Sequence, residues 1–227
     1  MPAEMISLVL PSGGRERQTA EMVRQYAQAL AALGVRCELL VTAAAPETIP
    51  FDTPNDRVSV RGVPAGPGWG REIRAGLAAA EGDLLGWTLP ERTEPQTLAS
   101  VVKYALESPR AVVRTNRRSR DTLPRRIGSM LYNGECRSLY NLTTWDVNGT
   151  PKVFPRTLDK LLCLTRDDEL IDLEFTVICR QEGYPVIEMP ARERVASGAG
   201  SIDLTTALRM YWGAWRFRQA LQERPQR

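Results

Sequence analysis

The chain has 227 residues, 43% hydrophobic and 25% charged, a composition typical of a globular protein with one substantial core. Its formal net charge of +3 is too small to indicate a nucleic-acid-binding protein, and no apolar run has the length of a signal peptide or a membrane span. The chain has no histidine. This excludes Ser-His and Cys-His catalytic pairs and leaves carboxylates, Lys, Tyr and Cys for proton transfer or for binding hard metals.

The cysteines are scattered without a C-x-x-C pair, and each lies among apolar neighbours: Cys37, Cys136, Cys163 and Cys179. This pattern predicts reduced thiols in the core of a cytoplasmic protein.

The first 113 residues predict strands that alternate with helices. A buried strand at 5–10 stops at the loop Pro11-Ser12-Gly13-Gly14, and a helix with apolar residues at helical spacing follows at 19–33, with Gly34 as its stop. The alternation continues with strands at 35–41, 58–60, 84–87 and 111–113 and helices at 71–80 and 95–106. We therefore predict an α/β fold in which a mostly parallel sheet is covered by helices on both faces.

The pattern changes after residue 113. Residues 114–126 contain six arginines and one acid, Asp121, and lead into a predicted helix at 123–140. The remaining predicted elements are a strand ending at Phe154, an amphipathic helix at 170–181, a strand at 185–189, a Gly-rich loop at 197–201 and a final helix at 204–221. No internal repeat is present, so one domain over 1–227 is the simplest organisation.

Candidate ligand-binding loops follow the carboxyl ends of the strands at residues 10, 41, 87 and 113, because ligands of open α/β sheets bind there. After the 84–87 strand, Glu91 and Glu94 offer carboxylates that can hold Mg²⁺ or Mn²⁺ against a diphosphate; the alternative is that both are solvated loop acids. The Gly-rich segment 66–70 can present N–H groups to a phosphate at a helix start, although its spacing matches neither dinucleotide fingerprint.

Three further features carry charge. The arginines of 114–126 can neutralise an anionic substrate through bidentate hydrogen bonds. Asp172 and Glu174 lie two residues apart, so they do not share a helix face as an acid–base pair. The final helix has an apolar stripe flanked by arginines, which predicts core packing or, alternatively, a helix lying on anionic lipid: Leu204, Leu208, Tyr211, Trp212 and Trp215, with Arg209, Arg216 and Arg218.

Taken in order, residues 6–201 resemble the family-2 glycosyltransferases of GT-A fold, in particular the dolichol-phosphate mannose synthases and their bacterial polyprenyl-phosphate relatives. The most specific part of the resemblance is residues 146–156, which read D-V-N-G-T-P-K-V-F-P-R. This stretch is similar to one in the family in which an Asp is followed by a turn of small residues and then by a basic, an apolar and an aromatic residue. Asp172-Leu173-Glu174 followed by 183–190 resembles the D-x-E helix, Gly-Tyr turn and E-x-P strand. Residues 68–76 resemble the G-x-G segment, and 198–201 resemble the Gly-Ser loop.

The donor motifs depart from the family pattern. The second strand ends in Val-Thr-Ala-Ala-Ala at 41–45, where the family has two acids that bind the nucleobase. The metal-binding D-x-D reads Leu89-Pro90-Glu91, and the lysine of the G-x-G segment is replaced by Trp69.

The resemblance implies a nucleotide-sugar half at 1–113, an acceptor half at 114–202 and a C-terminal helix at 203–227. It implies transfer of a sugar from a UDP- or GDP-linked donor to a polyprenyl phosphate or a small natural-product scaffold, in the cytoplasm or in peripheral contact with the inner face of the membrane. The alternative is a non-catalytic relative that binds sugar nucleotides or a partner. A phosphate acceptor needs no general base, whereas a hydroxyl acceptor needs a carboxylate such as Asp146 or Asp172.

The site residues implied by the resemblance fall into four groups. Those expected to bind the donor are Pro11, Gly13, Gly68, Gly70 and Glu91. The metal ligand for Mg²⁺ or Mn²⁺ is Glu91. Those expected to hold the acceptor or a phosphate are Arg117, Arg125, Arg126 and Lys152. The catalytic candidates are Asp146, Asp172 and Glu174.

Overall fold

The computed structural model describes residues 4–49, 56–119, 123–192 and 204–222. Within these ranges seven strands form one sheet in the order β3-β2-β1-β4-β6-β5-β7. The strands are β1 (Met5–Pro11), β2 (Arg36–Ala43), β3 (Val58–Pro64), β4 (Leu84–Trp87), β5 (Val112–Ser119), β6 (Lys152–Pro155) and β7 (Val186–Arg192). All neighbouring strands are parallel except β6, which runs antiparallel to both β4 and β5. The predicted mostly parallel α/β sheet is confirmed.

Helices cover both faces of the sheet. They are α1 (Glu16–Ala31), α2 (Trp69–Ala79), α3 (Pro95–Glu107), α4 (Leu123–Tyr140), α5 (Ile171–Gln181) and α6 (Leu204–Gln222). Helices α1 and α3 share a buried cluster with one face of the sheet, and α2 and α5 share another with the opposite face. A third cluster joins α4, α5 and α6, so the C-terminal helix packs over α5. The predicted three-layer arrangement with a C-terminal helix is also confirmed.

The central strand β1 is buried because helices cover both of its faces. Ile6, Leu8 and Leu10 pack on the α1–α3 side, whereas Val9 packs on the α2–α5 side. Burial on both sides explains why this segment reads as a continuous apolar run rather than as an alternating one.

Strand β5 is longer than the sequence indicated. It continues to Ser119 because β7 pairs with it in parallel register from Val112 opposite Val186 to Arg117 opposite Ala191, with an irregularity beyond Arg117. Placing the end of this strand at residue 113 was therefore wrong. The first arginines of the cluster lie within the strand and not in the binding loop expected there.

Helix α5 is buried on nearly every side and is not amphipathic as predicted. Ile171 and Phe175 face the sheet, while Leu173 and Val177 face α4 and α6. Its other buried positions include the polar residues Asp172, Glu174 and Thr176, so the sequence mixes apolar and polar residues although the helix has almost no solvent face.

The final helix buries only part of the predicted stripe, because Tyr211 packs against the core cluster while the two tryptophans do not. Met210 and Ala214 pack inward, whereas Trp212 and Trp215 are 66% and 47% exposed, so core packing of the two tryptophans was wrong. The side chains of Leu204 and Leu208 and the Gly-rich loop at 197–201 lie outside the described part of the chain.

All four cysteines are free. In the described ranges we find no helix with the length and apolarity needed to traverse a bilayer.

Candidate active site

The loop after β1 is a tight turn at the carboxyl edge of the sheet. Gly13 and Gly14 have φ values of 55° and 75°, a region that favours glycine. The backbone N–H of Gly13 donates to Glu72 Oε2 at 3.1 Å, so α2 fixes the turn. Glu72 is only 5% exposed, and burial raises the pKa of its carboxyl despite hydrogen bonds from the backbone of Gly13 and Ser12. This turn holds two of the predicted donor-binding residues, Pro11 and Gly13.

The glycines at the start of α2 allow a neighbouring loop to approach closely. Gly68 has a φ of 130°, and a Cβ built on it would lie 2.7 Å from the carbonyl oxygen of Asp167; a Cβ on Gly70 would overlap the same loop. The backbone N–H of Arg71 donates to that Asp167 oxygen at 3.2 Å. Packing against 166–168 thus accounts for both glycines, and their role in donor binding stays a prediction.

Glu91 lies on the loop after β4 and is paired with two arginines. Its Oε2 forms an ion pair with the guanidinium of Arg15, and its Oε1 lies 3.8 Å from Nε of Arg92. The side chain is 15% exposed. Mg²⁺ and Mn²⁺ accept a single protein carboxylate when diphosphate oxygens and water complete the coordination, so Glu91 has the right chemistry for one ligand. Within the described residues no group of three or more Asp, Glu or Cys side chains is arranged to hold a metal.

Lys152 and Asp172 form a buried ion pair where β6 begins beside the end of β4. Lys152 is 0% exposed, and its ammonium donates to Asp172 Oδ1 and, at 3.1 Å, to the carbonyl oxygen of Val147. Two tryptophans complete the arrangement, because Nε1 of Trp69 donates to Asp172 Oδ2 at 3.0 Å and Nε1 of Trp87 donates to Oδ1 at 3.3 Å. Asp172 therefore accepts hydrogen bonds from three side chains.

The electrostatics of Lys152 follow from this burial. Desolvation lowers the pKa of Lys152 to about 8, while the carboxylate of Asp172 raises it in opposition. At neutral pH the ammonium is still mostly protonated. Lys152 has no surface for an acceptor in this arrangement and holds Asp172 instead.

A second ion pair, with Arg117, holds the Asp146 carboxylate in place. Arg117 binds it with both arms of its guanidinium, Nε to Oδ2 at 2.7 Å and Nη2 to Oδ1 at 3.0 Å. The buried Arg114 donates Nη2 to the carbonyl oxygens of Asp146 and Val147. Since Val147 also accepts from Lys152, the backbone carbonyl of Asp146 is linked to the Asp172 carboxylate through Arg114, Val147 and Lys152.

Glu174 supports the loop before α5. It accepts from the backbone N–H groups of Thr165 and Arg166, both at 2.9 Å, and from Thr165 Oγ1 at 2.6 Å. Of the other predicted acceptor residues, Arg126 is exposed in the first turns of α4, and the side chain of Arg125 lies outside the described part of the chain.

The structure thus places Asp146, Lys152 and Asp172 in one network, while Glu91 pairs with Arg15 and Glu174 with the 165–166 loop. Three residues that sequence reasoning did not assign to the site help to build it: Trp69, Trp87 and Glu72. Arg114 belongs to the arginine cluster predicted to neutralise an anionic substrate, but it is 1% exposed and binds backbone carbonyl oxygens. Glu72 is recognisable in the sequence only as an acid in the first turn of a helix that starts after a glycine turn.

Two cavities lie near this network. One, of about 480 Å³, is bounded by α5, the start of β7 and the 142–145 loop; the other, of about 440 Å³, lies between the 166–170 loop and α6. Neither is lined by Glu91, Asp146, Lys152 or Asp172.

The strand order, with an antiparallel β6 inserted between two parallel groups, is that of the GT-A fold. No family model matches the sequence, and no characterised protein matches it in sequence. Solved structures do match it. The first is a crystal structure of glucosyl-3-phosphoglycerate synthase from Mycobacterium tuberculosis in complex with Mn²⁺, UDP and phosphoglyceric acid. That protein is 14% identical in sequence, and the two structures superpose with a TM-score of 0.67 over 95% of this chain and 78% of that chain.

Two further structures of that synthase give the same result. The complex with Mn²⁺, UDP-glucose and phosphoglyceric acid is 16% identical, with a TM-score of 0.67 over 96% of this chain and 80% of that chain. The complex with Mg²⁺ and UDP is 15% identical, with a TM-score of 0.66 over 95% and 79% of the two chains. At such identities the likeness establishes the fold, and the expected GT-A fold is confirmed.

Proposed function

We propose that this protein is a glycosyltransferase that moves a sugar from a UDP- or GDP-linked donor to an acceptor carrying a phosphate. The observation that carries the proposal is that the first turn of α2 contacts both the Gly13 turn, through Glu72, and the Lys152–Asp172 network, through Trp69, at the carboxyl edge of a GT-A sheet. Arg15, just after the Gly13 turn, is paired with Glu91. Structures of this fold in complex with UDP and Mn²⁺ support a nucleotide-sugar donor.

The reaction is a displacement at the anomeric carbon. The bond from that carbon to the donor diphosphate breaks as an acceptor oxygen forms a new bond to the same carbon, and the diphosphate leaves with the electron pair. Cations must neutralise the departing charge. Arg15 and Arg92 lie on either side of Glu91 and supply guanidinium groups there. A Mg²⁺ or Mn²⁺ ion held by Glu91 would add Lewis-acid stabilisation of the diphosphate.

The carboxylates favour an acceptor that is already ionised. Asp172, Asp146 and Glu174 each accept several hydrogen bonds from neighbouring groups. Carboxylate oxygens that already accept hydrogen bonds from the protein are poorly placed to remove a proton from an acceptor hydroxyl. A phosphate oxygen attacks without a general base, so we favour a polyprenyl phosphate or a small phosphorylated molecule over a natural-product hydroxyl. The protein would act in the cytoplasm, where nucleotide sugars are made.

Glu91 gives the sharpest test. Release of UDP or GDP is measured from a panel of sugar nucleotides, with Mg²⁺ or Mn²⁺, using polyprenyl phosphate and phosphoglycerate as acceptors. We expect Glu91→Ala to lower kcat at least 100-fold, in the range lost with one charge-stabilising group. Glu94→Ala, an exposed acid three residues further on, is the matched control and should keep its activity. Full activity in Glu91→Ala would refute the metal assignment.

A non-catalytic relative is the second candidate. It is favoured by the absence of acids at 41–45 and by the engagement of Glu91 with Arg15. Calorimetry with the same sugar nucleotides separates the two candidates. Binding without turnover supports the non-catalytic relative, whereas turnover excludes it.

A further inference from the structure

Exposed apolar side chains concentrate on two neighbouring helices. Of nine large apolar residues exposed in the described ranges, five lie on α4 and α6: Ile127, Met130, Leu131, Trp212 and Trp215. Met130 is 71% exposed and Leu131 62%, values far from those of a core. We call these five residues the outer α4–α6 face.

The two helices form one layer. The rings of Tyr132 and Tyr211 meet edge to face at 5.7 Å, and Tyr211 donates its hydroxyl to the carbonyl oxygen of Gly128 at 3.2 Å. Further along, Arg218 donates to the carbonyl oxygen of Leu139 at 2.6 Å, so the helices run side by side in the same direction. Their inner faces are buried in a common cluster. The outer face therefore projects from one side of a single layer.

The residue spacing makes each outer strip continuous. Ile127, Met130 and Leu131 follow i, i+3, i+4 spacing, and Trp212 and Trp215 follow i, i+3 spacing, so each set lies on one side of its helix. The two indoles also contact each other, with ring centroids 6.4 Å apart. Large apolar side chains exposed in clusters on neighbouring helices are typical of an interaction surface.

Arginines outnumber acids around this face. Arg126, Arg209 and Arg216 are exposed, and helix α6 contains no Asp or Glu from 204 to 222. On α4 the acid is Glu135. The cavity of about 440 Å³ beside Trp212 is bordered by Arg209 and Arg216 and also by Arg166, Asp168 and Glu169 of the neighbouring loop. Arg166 is paired with Asp168 there, which leaves the two helix arginines facing one acid.

We propose that the outer α4–α6 face binds the surface of an anionic lipid bilayer. Tryptophans favour the headgroup boundary, apolar side chains enter the acyl region, and flanking arginines pair with lipid phosphates. A second copy of the chain is a poorer occupant, because joining two such faces would bring like charges together. This proposal is independent of the sugar-transfer reaction, since binding is measured without turnover.

Vesicle binding tests the proposal directly. The full chain is mixed with vesicles of phosphatidylcholine alone or with an equal share of phosphatidylglycerol, and the fraction that sediments is measured. We expect binding to the anionic vesicles only, weakened as salt rises from about 0.1 M to about 0.5 M. Arg209→Gln with Arg216→Gln should weaken binding roughly 30-fold, since each arginine near such a surface contributes about a factor of five.

The double variant Trp212→Ser with Trp215→Ser tests the apolar half of the face. We expect that this variant no longer sediments with anionic vesicles at the lipid concentration that half-saturates the unaltered chain. Tyr104→Ser, on α3 and 48% exposed, is the matched control and should bind normally. Circular dichroism verifies that each variant is folded. Equal binding by all folded variants, or none by the unaltered chain, would overturn the proposal. So would light scattering that shows a dimer dissociated by the tryptophan changes.

Discussion

Asp172 is the residue on which most of the site depends. Its carboxylate accepts from Lys152, Trp69 and Trp87, which come from β6, the start of α2 and the end of β4. Burying this pair costs desolvation of both charges, and the cost is offset only because hydrogen bonds satisfy the carboxylate. The carboxylate therefore ties three elements together at the edge where ligands of this fold bind.

Removing the cation alone should destabilise the protein strongly. Lys152→Met leaves Asp172 buried without its counter-charge, and we expect the free energy of unfolding to fall by about 3–5 kcal/mol in urea denaturation. Adding Asp172→Asn to that variant removes the orphaned charge and keeps one acceptor oxygen, enough for one of the two indole N–H groups. The double variant should recover more than half of the loss. A double variant no more stable than Lys152→Met would show that the pair does not act as a unit.

Glu72 should make stability depend on pH. Burial raises the pKa of its carboxyl above the unfolded value, so its protonated form is favoured in the fold. The stabilisation is complete below the unfolded pKa of 4.5 and is lost as pH rises through the folded pKa. Glu72→Gln cannot ionise yet keeps an oxygen for the Gly13 N–H. We expect the urea midpoint of the variant to rise relative to that of the unaltered chain as pH increases above 4.5, whereas parallel curves would contradict the assignment.

At the scale of elements, close helix–sheet packing sets the position of α2. A Cβ built on Gly76 would overlap the side chain of Val9 on β1, so this glycine lets the helix lie against the sheet. The start of the same helix is held by Glu72 at the Gly13 turn and by Asp167, which pairs with Arg71 and Arg74. The helix thereby fixes Trp69 at Asp172 and Glu72 at the first loop.

Two glycine substitutions separate packing from helix propensity. Gly76→Ala should cost about 1–3 kcal/mol because the added methyl overpacks the contact with Val9. Gly134→Ala, in α4 with no atom near its built Cβ, should instead stabilise by about 0.5–1 kcal/mol. Thermal unfolding of both variants gives the comparison. A stabilising Gly76→Ala would show that the helix is free to shift away from β1.

At the scale of the whole molecule, the two sequence halves share one sheet. β6 pairs with β4, so the strand that carries Lys152 sits directly beside the strand that carries Trp87. The expected acceptor half thus meets the expected donor half inside the sheet. A ligand bound at the carboxyl edge contacts loops from both halves and should stabilise the fold as a unit.

Nucleotide binding should therefore raise the melting temperature. UDP or GDP with Mn²⁺, at about 100 times the Kd, stabilises by about 2.7 kcal/mol, which corresponds to roughly 5–10 °C for a chain of this size. Uridine or guanosine with the same metal is the control and should give a much smaller shift, because the diphosphate is absent. Equal shifts with and without the diphosphate, or none with either nucleotide, would count against the site.

The sequence by itself determined the order and type of the elements, because apolar periodicity and the Gly and Pro stops are local signals. Helix α1, for example, ends at Ala31 shortly before Gly34, which has a φ of 74°. Which charges meet depends on the packing of segments that are distant in the sequence. The length of β5 depends on pairing with β7, and the partners of Asp172 lie 20, 85 and 103 residues away along the chain. Such contacts are set by packing between distant segments, which leaves no periodic trace in a single sequence.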